Sequence, residues 1–378
     1  MPRFAIGLLV ASSLLILSSA SVAADAPAPD KPRIDIVFCI DCSGSMGPVI
    51  ETAKQKVWAI VNQVARAKPA PELRIGLIGY GNATGPFRTF PLTSDLDEVY
   101  KNLLPFDEHL GGDEFVGLAI HKATTEMKWA DGKQVMKVIY VVGNETAHQG
   151  PAEFDYTKTA PAAIARGIMV NAIYCGDYDY ATAHDTWKEF ARLADGAYME
   201  IAGQGGAVTV ATPFDKELTE LSTKLNTTYI GYGEQRREKL ALQAANDQTS
   251  VRYSLSSAAD RAGAKASSQY DNGSWDLVDA SKRSKDFDVK KLKETELPEV
   301  MQKMTPEQRV AFVATKSKDR DEIAGQIKTI STKRDAYIKA EVEKKGLDTN
   351  KSFDESVRKS ITEQAAKKGF EFDTGAKK

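Results

Sequence analysis

The 378-residue sequence has few of the side chains that hold small disulfide-rich or zinc-binding domains together. It contains four histidines and three cysteines, and Cys39, Cys42 and Cys175 do not have the spacing of a zinc site. An odd number of cysteines cannot all pair within one chain, so a disulfide scaffold is excluded. We expect Cys39 to be a buried free thiol within a strand, and any disulfide to join Cys42 to Cys175.

The sequence also lacks the motifs of common enzyme classes. It has no glycine-rich phosphate loop, nucleophile elbow, zinc-binding helix or Ser/His/Asp set. Charge of either sign is not in excess, because 50 Lys+Arg face 52 Asp+Glu for a net charge of −2. In the second half the basic residues are interleaved with acids, which argues against a nucleic-acid surface. We therefore predict a non-enzymatic protein that binds no nucleic acid.

A long apolar run occurs only near the N-terminus. It extends from Phe4 to Leu17 after the single charge of Arg3, and small residues follow from Ser18 to Ala24. The run is shorter than the ~20 residues that a membrane span needs, and this order is typical of a signal peptide. We expect residues 1–24 to be removed on export, leaving a periplasmic or secreted protein without a transmembrane segment. An uncleaved anchor is the alternative.

Charge divides the rest of the chain into two parts. After the Pro- and Ala-containing linker at 25–32, the sequence up to residue 230 is acidic, with 19 Lys+Arg against 27 Asp+Glu counted from residue 25. Residues 231–378 are basic, with 30 Lys+Arg against 25 Asp+Glu. We therefore expect one domain at 33–230 and a second region at 231–378 that can be removed without unfolding the first.

The first of these parts alternates between apolar strands and amphipathic helices. Buried strands are predicted at 33–40, 73–80, 135–142, 168–174 and 197–202, with an edge or antiparallel strand at 87–92. Helices are predicted at 46–68, 113–127, 156–166, 186–194 and 212–225. This alternation indicates an α/β fold with a doubly wound, mostly parallel sheet. Such sheets bind ligands beyond the carboxyl ends of their strands.

The loop after the first strand carries oxygen donors at alternate positions. Asp41, Ser43 and Ser45 offer one carboxylate and two hydroxyls, and Gly44 allows the backbone to bend between them. This donor set suits a hard divalent cation such as Mg²⁺, with Mn²⁺ or Ca²⁺ as alternatives. The other interpretation is a helix cap, a role that Ser45 can fill without the other two residues.

The apolar strand, the Asp-x-Ser-x-Ser loop, Met46-Gly47 and the long helix together resemble the opening of a von Willebrand factor type A domain. The resemblance covers about 33–229. It implies a Rossmann-like fold, a metal-ion-dependent adhesion site and protein–protein interaction. The family completes its metal site with a Thr after a Gly-Gly pair and an Asp after the fourth strand.

This sequence departs from the family at both of those positions. Asp113 follows Gly111-Gly112, and Asn144 stands where the Asp is expected. The number of carboxylates is nevertheless kept, so we predict a variant site made by Asp41, Ser43, Ser45, Asp113 and Asn144. The alternative is a site that has lost its metal, in which Asp113 caps the following helix. His148, Gln149, Asp177 and Asp179 are further polar candidates in flanking loops.

The region from 231 to 378 is predicted to be helical. Thr305-Pro306-Glu307-Gln308 is a capping-box pattern that begins a helix extending to Lys345. Apolar residues at Ile323, Ile327, Ile330, Tyr337 and Ala340 form a heptad-like seam within it. The seam is buried either in an antiparallel hairpin of this region or in a coiled coil with a partner. A last amphipathic helix is predicted at 353–368.

Together these features predict an exported protein that binds a divalent cation and interacts with a protein partner whose identity the sequence does not give. The alternatives are a metal-free scaffold with a structural role and a metal-dependent hydrolase. A phosphatase of the aspartyl-nucleophile type would need an acid two residues after Asp41, where Ser43 stands.

Overall fold

The structure is a computed structural model that describes residues 31–81, 87–176, 181–206 and 208–372. The predicted signal peptide, most of the predicted linker, and Asp177 and Asp179 lie outside the described residues. The strands are β1 (Arg33–Asp41), β2 (Ala67–Lys68), β3 (Glu72–Tyr80), β4 (Arg88–Thr93), β5 (Val135–Gly143), β6 (Met169–Cys175), β7 (Tyr198–Ile201) and β8 (Glu371–Phe372). The helices are α1 (Gly47–Val64), α2 (Leu96–Leu103), α3 (Val116–Glu126), α4 (Tyr156–Ala165), α5 (Ala181–Leu193), α6 (Asp215–Asn226), α7 (Arg236–Tyr253), α8 (Leu255–Lys265), α9 (Leu277–Arg283), α10 (Glu299–Gln302), α11 (Pro306–Lys345) and α12 (Phe353–Ala366).

The central sheet of the described chain has six strands in the order β4-β3-β1-β5-β6-β7. All of its pairings are parallel except that of β4, which runs antiparallel at the edge. The strand order reverses beside β1, so the loops that follow β1 and β5 lie next to each other at the carboxyl ends of the strands. The predicted doubly wound α/β sheet with a helical C-terminal region is confirmed.

Helices cover both faces of this sheet. Successive residues of a strand point to opposite faces, and β1 shows this clearly. Val37 and Cys39 face a core formed with α3, α4 and α5, whereas Ile36, Phe38 and Ile40 face a core formed with α1 and α12. Both cores are apolar and closed, which fixes the position of the loops at the carboxyl end of the sheet.

Helix α12 packs against the central sheet, although it lies far beyond β7 in the sequence. Its first residue, Phe353, contacts Phe38 with ring centroids 6.3 Å apart. Farther along, the hydroxyls of Tyr140 and Ser360 are 2.8 Å apart, and Gln364 exchanges side-chain hydrogen bonds with Asn171. Since β1, β5 and β6 are all contacted in this way, α12 completes one side of the α/β sandwich.

The remaining C-terminal helices also pack against the first part of the chain. Helix α8 contacts α1 and α6, and α11 contacts α6 and α8. Ile327, in the middle of the predicted seam of α11, is fully buried, and Ile323 and Ile330 pack beside it in the same core as α1. Helices α6 and α8 therefore cover this part of the seam, and of these two only α8 belongs to residues 231–378. Tyr337 and Ala340, farther along the seam, are exposed.

The three cysteines are buried and free. Cys39 lies inside β1, and Cys175 ends β6, which is two strands away with β5 between them. Burial raises the pKa of the Cys39, Cys42 and Cys175 thiols, because the thiolate loses its solvation. These residues behave as small core side chains.

We expect thiol counting on denatured, unreduced protein to give three free thiols. The count uses a chromogenic disulfide reagent. The folded protein should react with this reagent much more slowly, because its thiols are buried and only a small fraction of them is in the reactive thiolate form. A count of one free thiol would show that a disulfide exists and would overturn this assignment.

Candidate metal centre at the carboxyl edge of the sheet

The loop after β1 holds a compact cluster of oxygen atoms. Asp41 is the last residue of β1 and is fully buried, and Ser43 follows in a tight turn. The Ser43 backbone N–H donates to Asp41 Oδ1 at 2.7 Å, and the Ser43 hydroxyl lies 3.1 Å from Asp41 Oδ2. Ser45 is exposed, and its Oγ lies 3.3 Å from Ser43 Oγ. The three predicted donors of this loop therefore face one point.

Neighbouring backbones hold this loop in place. The Cys42 N–H donates to the Tyr80 carbonyl at the end of β3, and the Cys42 carbonyl accepts from the Leu110 N–H. Tyr80 in turn donates its hydroxyl to the carbonyl of Val142 in β5 at 3.0 Å. The position of the cluster is thus fixed from both neighbouring strands.

The second carboxylate comes from Glu114. Its Oε1 accepts from the Ser43 hydroxyl at 2.9 Å, and the residue is 1% exposed, whereas Asp113 is exposed. Helix α3 begins at Val116 with Phe115 at its N-cap, so Asp113 does not cap that helix. Gly112 has a φ of +77°, and the turn it forms directs the two consecutive acids differently. The structure brings Glu114, in place of Asp113, to Asp41 and Ser43.

Asn144 completes the cluster from the loop after β5. Its side-chain N–H donates to Ser45 Oγ at 2.8 Å. Gln149 supports the same edge, because it accepts from the Glu114 backbone N–H and donates to Glu145. His148 instead lies between Asp155, at 2.8 Å, and the Tyr156 hydroxyl, at 3.0 Å. Of the flanking candidates in this loop, Gln149 contacts the cluster and His148 does not.

The cluster carries negative charge without a basic residue bonded to it among the described contacts. Burial raises the pKa of Glu114, and the nearby Asp41 carboxylate raises it further. Burial likewise raises the pKa of Asp41, which is hydrogen-bonded to Glu114. Two adjacent buried carboxyls cannot both ionise cheaply, so in the absence of a cation one proton stays between them.

Two acceptors of the cluster have no partner. Glu114 Oε2 and Asn144 Oδ1 are buried and make no hydrogen bond in the described structure. A buried oxygen that bonds to nothing costs free energy, and a cation is one group that satisfies it. No group of three His, Cys, Asp or Glu side chains suited to a metal occurs among the described residues. A cation here would accordingly depend on hydroxyl and amide oxygens as well as the two carboxylates, and the residues present fit that role.

Sequence comparison identifies the class of domain that carries this site. Residues 35–198 match the family model of the von Willebrand factor type A domain. The chain therefore contains a von Willebrand factor type A domain, followed by a helical C-terminal region. The matched residues are less than half of the chain, and they end at β7, before the helices that complete the sandwich.

The solved structures that match this chain are distant in sequence. BatB from Bacteroides thetaiotaomicron is 20% identical, with 45% of this chain and 90% of that chain aligned and a TM-score of 0.36. The VWA domain of SpRpn10 is 19% identical over 45% of this chain and 88% of that chain, with a TM-score of 0.34. Proximal thread matrix protein 1 from the mussel byssus, described with a zinc-occupied MIDAS motif, is 14% identical over 45% of this chain and 42% of that chain, with a TM-score of 0.36. No curated protein matches the sequence.

None of the helices in the described ranges combines the length and hydropathy that crossing a bilayer requires.

Proposed function

We propose that the protein is exported, binds one divalent cation at the cluster after β1, and uses that edge of the sheet to interact with a protein partner. Asp41, Ser43, Ser45 and Asn144 are the proposed ligands, and Glu114 takes the place that the sequence indicated for Asp113. The observation that carries the proposal is the pair of buried, unpartnered acceptors, Glu114 Oε2 and Asn144 Oδ1.

The donor set favours a hard cation. All of the proposed ligand atoms are oxygens, and Mg²⁺ is expected first, with Mn²⁺ or Ca²⁺ as alternatives. A bound cation would supply a Lewis-acidic position that accepts one more oxygen from outside. Ser45 is the exposed member of the cluster, so an incoming group would approach from its side. Because two carboxylates already offset the charge of the cation, its attraction for an acidic group of a partner is weakened.

A metal-free scaffold is the alternative for the same geometry. In that case Glu114 stays protonated beside Asp41, so the pair carries a single negative charge without an ion, and Glu114 Oε2 stays without a partner. The metal-bound site needs an ionised Glu114, whereas the metal-free scaffold needs a protonated one. A substitution that removes the charge of Glu114 and keeps its shape therefore distinguishes the two.

We expect saturating Mg²⁺, Mn²⁺ or Ca²⁺ to raise the melting temperature of the protein, and Glu114→Gln to abolish that rise. A ligand at about 100 times its dissociation constant stabilises the folded state by about 2.7 kcal/mol, which for a chain of this size is about 4 °C. Gln has the shape of protonated Glu and can still bond to Ser43 and Asp41. The variant should therefore match the wild type in chelator and fail to respond to metal in differential scanning fluorimetry.

Asp113→Asn is the matched control. It removes the same charge one residue earlier, from an exposed side chain, and should keep the full metal response. Loss of the response in Asp113→Asn but not in Glu114→Gln would return the ligand role to Asp113. If no cation shifts the wild-type melting curve relative to chelator, the metal-free scaffold is correct.

The partner and export are tested separately. Capture of a partner by the wild type in metal, and not by Glu114→Gln, would connect the cation to interaction. N-terminal sequencing of the protein recovered from the periplasm or medium tests removal of residues 1–24.

A further inference from the structure

A polar cavity lies at the opposite end of the sheet from the oxygen cluster. It has a volume of about 370 Å³ and is lined by Lys128, Lys137 and Arg166, with Asp131 as the opposing carboxylate. Met127 and Ile168 form its apolar wall, and Trp129 lies beside them. Lys137 is the third residue of β5 and Asn144 follows the end of that strand, so roughly 20 Å separates the two sites. The cavity therefore belongs to a different surface of the domain.

Lys137 is an unusual residue for its position. It is the only charged residue in β5, and the next residues on its side of the strand, Ile139 and Val141, are fully buried. Its side chain is 14% exposed, and its nearest described carboxylate, Asp131, is 3.5 Å away and 97% exposed. A lysine held at the margin of an apolar core loses solvation, and one exposed acid replaces little of it. Lys137 lines the cavity together with two further cationic residues.

The walls of the cavity are held in place without a ligand. Asp35, buried in β1, accepts from the Ala130 N–H at 2.8 Å and from Arg74, which also donates to the Lys128 carbonyl at 3.0 Å. Trp129 donates its indole N–H to the carbonyl of Ala123 at 2.8 Å.

Arg166, on the opposite wall, donates one guanidinium N–H to the Thr124 carbonyl at 2.7 Å. Gly167 follows with a φ of +70°, a left-handed backbone conformation that glycine adopts without strain. Hydrogen bonds within the protein thus hold the Lys128 backbone and the Arg166 guanidinium group in place.

We propose that this cavity binds a multiply charged oxyanion of the phosphate class, either free phosphate or a phosphate group on a small organic molecule. Three cations against one carboxylate leave an excess of positive charge, and ammonium and guanidinium groups make their strongest hydrogen bonds to anionic oxygens. A water molecule occupies about 30 Å³ in the liquid, so the cavity has room for more than a bare phosphate. The apolar wall and Trp129 offer contact to an organic substituent.

Isothermal titration of the full chain with inorganic phosphate, and in parallel with glycerol phosphate, at constant ionic strength tests the proposal. We expect saturable binding of one equivalent, and Lys137→Met should weaken it roughly tenfold or more, since a hydrogen bond to a charged group is lost. If glycerol phosphate binds more tightly than phosphate, the organic substituent contacts the apolar wall and the ligand is a phosphorylated small molecule. If the two bind equally, the ligand is free phosphate.

Lys133→Met is the matched control, because Lys133 is exposed in the same loop and does not line the cavity. It should change the affinity less than twofold. Arg166→Gln, on the rim, gives a second loss-of-binding variant if Lys137→Met does not fold. The proposal would be overturned if no binding occurs at 10 mM phosphate, which is about the weakest affinity worth assigning. It would also be overturned if Lys133→Met and Lys137→Met weaken binding equally.

Discussion

A chain that ends at Gly346, and so lacks α12, is expected to lose cooperative unfolding and to become a molten or insoluble species. Helix α12 is the cover of the sheet face formed by β1, β5 and β6, as the contacts of Phe353 with Phe38 and of Ser360 with Tyr140 show. Without it, an apolar surface of the central strands is open to water. The expected result is loss of the thermal transition and binding of a hydrophobic dye.

The size of this effect follows from the side chains removed. Phe353, Val357, Ile361 and Phe370 are each at most 2% exposed, and full burial of such a side chain contributes about 1.5–3 kcal/mol. Four of them amount to about 6–12 kcal/mol, against a total stability of about 5–15 kcal/mol for a typical domain.

A chain ending at Phe372 is the matched control. It keeps every described contact of α12 and should unfold as the full chain does. The change in charge at residue 231 predicts that the helical region can be removed there, whereas the packing of α12 predicts that the shortened chain does not fold. A soluble chain ending at Gly346 with a sharp, unshifted transition would restore the earlier expectation.

The substitution Arg261→Met is expected to destabilise the protein by about 3–5 kcal/mol. Arg261 of α8 is 1% exposed and forms ion pairs with Asp97 of α2 and Asp247 of α7. Its guanidinium also lies over the Trp58 ring of α1, 4.6 Å from the centroid. Met fills much of the space but leaves Asp97 without its ion pair, while Asp247 keeps its ion pair with Lys265 at 2.8 Å. Urea denaturation with a constant slope would give the change in the free energy of unfolding.

Arg237→Met is the control for loss of an arginine at the surface. Its ion pair with Glu299 is 3.4 Å long, with both side chains more than 80% exposed, so the change should stay below about 1 kcal/mol. Adding Asp97→Asn to Arg261→Met should recover part of the lost stability, because it removes one uncompensated charge. Equal, small effects of the Arg261 and Arg237 variants would show that the buried pair contributes nothing specific.

The sheet could be predicted from local sequence because its strands are short apolar runs between turns. The strands predicted at 33–40 and 135–142 end within one residue of β1 and β5, and the strand predicted at 87–92 as edge or antiparallel is β4, which is both. The capping box at Thr305 and the end of α11 at Lys345 were also confirmed. In each case the signal lies within a few residues of the feature it predicts.

Helix α2 and the division of 235–266 into two helices were not predicted. Asp95 accepts from the Glu98 N–H and begins α2, a cap signal that was available in the sequence. Ser254, with an extended φ of −172°, separates α7 from α8 and caps the second of them. Here a polar helix with no glycine or proline at the break gives no periodic signal of its end.

The identity of the second acid in the cluster depends on three-dimensional structure. Asp113 and Glu114 are adjacent, and either can reach a cation in an extended loop. What separates them is the turn at Gly112 and the start of α3 at Val116, which places Glu114 inward beside Ser43. A shift of the loop by one residue would bury Asp113 instead of Glu114, and the amino-acid composition of the loop does not indicate which of the two is buried.

Helix α12 has a consequence for the order in which the protein can mature. Phe353 is synthesised more than 300 residues after Phe38, yet each covers the other in the finished core. During translation the strands of the sheet emerge long before the helix that shields them, so this face stays unprotected until α12 has been made. The growing chain therefore remains accessible to chaperones over this interval, and this core closes only after α12 has been made.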